Sequence, residues 1–281
     1  MKRIVLQVPF YILLILALNS CKPTDLTPAY IEIGYYDVNY NPETGFSPLD
    51  VSSYNETHGE NYDSEQLGAL QQHTFTHVNV YVDGKNLGCW KLPCKVPVLN
   101  VNDQDSSSVI ILPAFPLNGM TNTIQGYPFF NVLRKNLPLK RGETFKVSDS
   151  PLNFVYNSVS KIPFLETFAN SSPFSPSDTT LNHHYFQPTV FEGRSVGEIV
   201  LHGADESFDV KTVPITLPIG NHYVYLEMTY KTESNMEVGL KISTANYGNY
   251  VHEVGGVYDT KGEWKTVCFR LNGIINDNHN T

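Results

Sequence analysis

The chain reads as all-β, arranged as two β-sandwich domains that meet near residue 160. Three observations predict this. Composition is rich in Tyr, Phe, Gly, Pro and Asn, and no long Ala/Leu/Glu/Lys block occurs, a mixture that favours strands and turns over helices. Apolar residues recur with a period of two in short runs, as in half-buried strands. Gly, Pro, Asn and Asp separate those runs at regular intervals.

The elements follow in order. Residues 1–20 read as a signal peptide: Lys2 and Arg3 precede the apolar run "IVLQVPFYILLILAL", which is shorter than the roughly twenty residues of a spanning helix. The run stops at "LNSC", Leu18 to Cys21, and the polar Lys22, Pro23, Thr24 and Asp25 follow. This arrangement resembles the lipobox of bacterial lipoproteins, which implies cleavage before Cys21 and acylation of that residue. Two or more acyl chains, at about 0.8 kcal/mol per buried CH₂, anchor a protein stably to a membrane. Lys22, where Asp would imply inner-membrane retention, points to the outer membrane. "KPTDL" lacks the acidic cluster of some surface-exported lipoproteins, and periplasmic and surface faces are both compatible with the sequence.

Removal of Lys2 and Arg3 takes the formal net charge from −9 to −11. The lack of any Lys/Arg cluster argues against nucleic acid as a partner. Residues 21–28 form a tether, and residues 29–160 the first sandwich, starting with "AYIEIGYYDV". A polar stretch over 39–72 reads as an insertion or mobile loop. In "TFTHVNVYV", Val78, Val80 and Val82 share one strand face, and Asp83-Gly84 supplies the positive φ of a hairpin turn. "LGCWKL", "VPVLNV", "SSVIILP", "ETFKVSD" and "LNFVYNSV" continue as strands, broken by the connection "AFPLNGMTNTIQGYPFF". Beyond a Ser/Pro-rich loop, residues 161–281 return to strands. In "HYVYLEMTYK", Val224, Leu226, Met228 and Tyr230 face one way, while Tyr223, Tyr225 and Glu227 face the other.

"VNVYVDGKNLGCWKLPCKVPVL" resembles the PEGA-type (immunoglobulin-like) sandwich domain. With "ILPAFPLNGM", "YPFF", "FLETF", "FEGRSVGEIVL" and "YVYLEMTYK…EVGL", the chain is similar over most of residues 75–271 to a group of Bacteroidetes outer-membrane lipoproteins. That resemblance implies a second domain shaped as a jelly roll of the carbohydrate-binding type. Such a jelly roll is expected to continue beyond "EWKTVCFRLN" by one or two strands. Here polar "DNHNT" follows instead, so the domain lacks closing strands or the reading frame is truncated.

Cys89 and Cys94 pose a choice between a disulfide and two small packed side chains. In a straight strand they would lie about 16 Å apart, against roughly 5.5 Å between the Cα atoms of a bridged pair. A bridge therefore needs a sharp bend, which Pro93 allows. A C-x₄-C metal site is excluded because no second Cys/His pair has ligand spacing. Cys268 reads as a packed or semi-exposed thiol. "GRSVG", Gly193 to Gly197, matches the G-x-S-x-G nucleophile elbow, but a strand-like run follows where the elbow needs a helix, and the hydrolase reading fails. His183, His184, His222 and His252 read as solvated side chains. Asp205, Glu206 and Asp209 are the candidate ligands of a structural calcium, with Glu166 added by the resemblance. No other cofactor is implied.

Aromatic residues are the most informative functional candidates. Tyr223, Tyr225 and Trp264, with Tyr185, Phe186, Tyr247 and Tyr250 in neighbouring segments, offer rings on which the apolar C–H face of a sugar stacks. The alternative is that they pack against the first domain or fill ordinary sheet positions. The leading expectation is a non-enzymatic, lipid-anchored envelope protein that recognises a glycan or a protein partner. Its rival is a structural or assembly component of an outer-membrane complex with no sugar binding. No nucleophile or carboxylate pair stands in a context that implies an enzyme.

Overall fold

The computed structural model describes residues 27–34, 51–71, 76–99, 101, 106–118, 120, 123–147, 154–169, 172–176, 186–203, 206–244 and 248–277, with backbone alone at 243–244 and 248–250. The signal peptide, Cys21, His183, His184, Tyr185, Asp205 and Tyr247 lie outside the described residues. Among the described residues, sixteen strands and three short helices make the chain predominantly β.

Strand β1 (Ala29–Ile33) alternates buried and half-buried side chains, so Ala29, Ile31 and Ile33 form one dry row. Helices α1 (Tyr54–His58) and α2 (Ser64–Gln71) come next. They correct the reading of 39–72 as a loop in its described part, because Val51, Tyr54 and Leu70 are buried in the core. A signal for α2 was present in "DSEQ": the Gln66 N–H donates to Asp63 Oδ1 at 2.9 Å, and the Asp63 N–H to Gln66 Oε1 at 3.0 Å. That reciprocal pair is a capping box with Asp as the cap. Two isolated apolar residues among polar ones hid it.

Strand β2 (His77–Val82) buries Val78, Val80 and Val82, as its parity predicts. Asp83 and Gly84 turn the chain with φ of 49° and 76° into β3 (Lys85–Lys91). The Ser108 N–H donates to Asp83 Oδ1 at 2.8 Å and holds that turn against the next strand. After a cis Leu92-Pro93 bond, β4 (Cys94–Val98) leaves its hairpin neighbour and pairs antiparallel with β1. Strand β5 (Ser107–Pro116) runs beside β2 and carries β6 (Ile124–Gly126) and β7 (Leu133–Leu137) on its other side. The first lies in the stretch read as connection, and the second in 131–142, which the pattern left unassigned. Strand β8 (Thr144–Lys146) pairs parallel with β1. The sheets β4-β1-β8 and β3-β2-β5-β6/β7 both feed one core, with Ile31, Val96, Val80 and Ile111 among its fully buried side chains. Among the described residues of "LNFVYNSV", Phe154 and Tyr156 join that core, and Tyr156 bridges to Phe130.

The rest of the chain is built from pairs of strands. Strand β9 (Ser175–Pro176) meets β12 (Val210–Lys211), and β10 (Phe186–Phe191) forms a hairpin with β11 (Arg194–Ile199). Strand β13 (Tyr225–Tyr230) pairs with β16 (Lys265–Arg270), and β14 (Met236–Thr244) with β15 (Gly248–Val257). Helix α3 (Asn272–Asp277) follows β16. The predicted face of β13 holds: Val224 is buried, and Leu226, Met228 and Tyr230 pack with it on Val257, Val267, Phe269 and Leu271. Gly255 is required there, since a Cβ would lie 2.8 Å from the Phe269 ring.

Strand β16 joins the two cores. Val267 and Phe269 belong to the second, whereas Cys268, on the opposite face, is buried in the first. The Asn118 N–H donates to the Cys268 carbonyl at 2.8 Å, and Leu117 bridges to Cys268 in parallel.

Candidate functional site

Alternation along β13 and the two residues before it sends Tyr223 and Tyr225 to the face opposite Leu226 and Met228, yet the two tyrosines differ in environment. The Tyr225 ring is half-buried, 5.4 Å from that of Phe129 and 5.9 Å from that of Tyr127, both of the first core. Burial, and then the neighbouring Cys268, pushes its phenol up to about 12, so it stays neutral at physiological pH. Tyr223 is 54% exposed. Its ring meets that of Tyr225 edge-on at 6.3 Å, and the Arg270 guanidinium lies over it at 5.7 Å. Arg270 is itself oriented by its Nε–H, which donates to Asn272 Oδ1 at 2.8 Å. An exposed ring and an oriented guanidinium thus lie side by side where β13 begins and β16 ends.

Trp264 does not join it. The β13–β16 ladder runs from Tyr225 opposite Arg270 to Tyr230 opposite Lys265, five positions or about 16 Å. Tyr223 precedes the first of these pairs and Trp264 adjoins the last, at the other end. There Trp264 belongs to a cluster at the tip of the β10–β11 hairpin. Its Nε1–H donates to Glu192 Oε2 at 2.8 Å, the Arg194 guanidinium covers its ring at 5.3 Å, and Phe191 lies 6.4 Å away. Lys231 Nζ donates to Glu192 Oε1 at 2.6 Å. These donors, Lys231 first and Trp264 second, hold the Glu192 carboxyl below the usual carboxylate range. The sequence reading missed Glu192, Arg194 and Lys231, because nothing local links residues 192, 231 and 264.

The same hairpin decides the fate of "GRSVG". Glu192 and Gly193 make its turn with φ of 50° and 77°, and Ser195 sits within β11, paired to Val190. A serine inside a hairpin strand has neither the strained strand-to-helix turn nor the helix start of a nucleophile elbow. Gly197 is there for packing: a Cβ would lie 2.6 Å from the Phe168 ring, part of a cluster with Phe174 and Phe186.

Of the candidate calcium ligands, Glu206 and Asp209 are exposed, and the Glu206 carboxylate accepts the His202 N–H at 2.7 Å within its own loop. The Glu166 carboxylate likewise accepts the Phe168 N–H. Among the described residues no group of three or more His, Cys, Asp or Glu side chains is placed to hold a metal ion.

Cys89 is exposed and Cys94 half-buried, on either side of the bend at Leu92-Pro93, and both are free thiols. Burial pushes the Cys94 thiol up to about 11, and the adjacent Cys89 adds to the effect. Cys268 is also free; burial and then Glu227 push its thiol up, which removes it as a nucleophile.

A cavity of about 210 Å³ opens beside α1, lined by Tyr54, Thr57, His58, Asn131, Tyr156 and Ser158. Tyr54 and His58 stack with their ring centroids 4.1 Å apart. An aromatic pair at i, i+4, between Ser53 and a left-handed Gly59, was a helix signal open to sequence reading. Among the described residues no helix is long and apolar enough to cross a membrane. Compared with protein families, curated proteins and solved structures, the chain matches none.

Proposed function

We propose that this is a non-enzymatic, lipid-anchored protein of the bacterial outer membrane, in which two β-sandwich units follow the anchor and the second recognises a glycan. The anchor rests on the basic start, apolar run and "LNSC" that end at Cys21. The glycan reading rests on one observation, the exposed Tyr223 ring held beside Arg270 at the end of a paired strand. A ring offers the stacking face, a guanidinium offers donors to hydroxyl or carboxylate oxygens, and a strand end fixes both before the ligand arrives. Trp264 is a separate, second subsite in this reading, and Tyr225 supports the platform from below.

The test uses a soluble Cys21→Ser chain starting at residue 21, screened against a glycan array and soluble polysaccharides with and without calcium. Tyr223→Ala is expected to weaken specific binding at least about tenfold and to change stability by less than about 0.5 kcal/mol. Silence from a folded sample sinks the glycan reading.

The rival reading, an assembly component that binds protein, draws on a different observation. Among the described residues, nine of the twelve exposed large apolar side chains lie beyond residue 186, including Val190, Val251 and Tyr258. Exposed apolar side chains that fall in one contiguous patch would suit a protein interface rather than a sugar. Capture of an envelope protein that is lost in Val190→Lys but kept in Tyr223→Ala would favour it.

A further inference from the structure

Two lysines of the second half meet carboxylates of their own chain: Lys231 pairs with Glu192, and Lys261 with Asp259. Arg270 does not. This last residue of β16 is exposed, and among the described residues its guanidinium meets one acceptor, Asn272 Oδ1, and one ring, that of Tyr223. Glu227 shares its sheet face two positions along β13, but turns Oε1 into the protein, where that atom is buried. The chain carries a formal net charge of −9, so an anion that settles on it needs a local cation left open to solvent.

A guanidinium holds its N–H donors in one planar fork. The Nε–H of Arg270 is taken by Asn272 at 2.8 Å, which closes the side of the fork that includes Nε. Nη1 and Nη2 remain at the outer end, and among the described residues nothing accepts from them. The two oxygens of a carboxylate match such a pair of parallel donors, whereas a single hydroxyl fills half of it. A bond between ionised partners is also roughly twice as strong as one between neutral groups. The surroundings fix both ring and cation before a ligand arrives. The Leu271 N–H donates to the Val224 carbonyl at 2.8 Å, tying the residue after Arg270 to the residue after Tyr223. Asn276 of α3 holds the preceding turn twice: its Oδ1 accepts the Gly220 N–H at 2.8 Å, and its Nδ2–H donates to the Gly220 carbonyl at 2.9 Å.

We propose that the glycan taken at this end of β13 is anionic: Arg270 receives the carboxylate of a uronic acid unit end-on through Nη1 and Nη2, while the sugar ring lies against the exposed part of Tyr223. This inference rests on the glycan reading of Tyr223 and narrows it from any sugar to a uronate-bearing one. Tyr223 supplies an apolar contact that most pyranoses satisfy. Arg270 supplies the discrimination, because a neutral hexose offers its outer donors no charge and no paired oxygens. A lysine in its place would attract the anion as a point charge without the paired geometry.

The test measures binding of the Cys21→Ser chain from residue 21 to polygalacturonate, alginate and hyaluronan. Each is paired with its carboxyl-reduced form, in which every uronate has become a neutral hexose. At least one polymer is expected to bind about tenfold or more tighter than its reduced form, the equilibrium equivalent of one charge-assisted hydrogen bond. In Arg270→Gln that ratio is expected to fall to about one, and Arg270→Lys to restore only part of it. A preference for the uronate form that survives in Arg270→Gln overturns the proposal. Where that variant does not fold, the native chain decides by its ratio alone. Equal binding of the two forms, lost in Tyr223→Ala, ends the anionic inference and leaves the glycan reading standing. So does silence on all three pairs when a neutral glycan binds through Tyr223. Silence of the folded chain on charged and neutral glycans alike ends both.

Discussion

In the first half, residues 29–160, strands β1, β2, β4 and β5 bury alternate side chains almost completely; in the second, β10, β11 and β13 leave theirs half-covered or exposed. Strand β1 holds Ala29, Ile31 and Ile33 at zero exposure, and β5 does the same for Val109 and Ile111. In β13 the same alternation leaves Leu226 and Met228 only partly buried. The difference is one of cover. In the first half two sheets and two helices supply one core. In the second, the β13–β16 and β14–β15 pairs share a cluster of five buried residues among those described. A two-stranded ladder shields little of its own face, so its stability depends on what packs against it. The first half is the better covered, and the second leaves more large apolar side chains exposed among the described residues.

The largest test of that contrast is a matched pair of truncations. Ile111→Ala is expected to cost about 2–5 kcal/mol in denaturant melts, because the surrounding sheets cannot collapse into the cavity. Val251→Ala, at 68% exposure, is expected to stay within about 0.5 kcal/mol. Equal losses would break the comparison.

A smaller effect is expected at the seam. Tyr225→Ala removes the ring that touches Tyr127 and Phe129, at a cost of about 1–3 kcal/mol. It should also split the thermal transition, with the second half melting first. An unchanged single transition would mean that β16 and Asn118 carry the coupling instead.

The smallest effect is the pH response of Glu192. Its carboxyl is depressed in the folded chain, so its stabilising contribution is complete above the ordinary value of 4.5 and is lost as pH falls through the lower, folded value. In a Trp90→Phe background, where Trp264 is the remaining indole, emission should shift in that acid window and not in Glu192→Gln. The same shift in both would show that the Glu192 contact does not hold the hairpin tip.

Much of the strand content was legible because a strand's faces follow from a period of two. Asp83-Gly84, the β2 row and the β13 row depend on neighbours within a few residues. The helices at 54–71 were less legible, since their apolar contribution is a few residues matched to a core built by strands elsewhere. Strands β6 and β7 were hidden for a similar reason: "IQG" and "LRKNL" carry little alternation and become strands because β5 offers them an open edge. Strand β15 was passed over because Gly255 and Gly256 near its end weaken the pattern, and a Cβ at Gly255 would meet Phe269.

Among the aromatics, parity along β13 was enough to place Tyr223 and Tyr225 on one face, because adjacent residues alternate whatever surrounds them. Only the packed chain could separate them, covering Tyr225 with Phe129 and Tyr127 and leaving Tyr223 beside Arg270. Likewise Trp264 was visible as a ring, but its distance from Tyr223 follows from the β13–β16 register, and its partner Glu192 from a hairpin 72 residues away. Which way a side chain points is a local property of the backbone; what meets it there is set by residues remote in the chain.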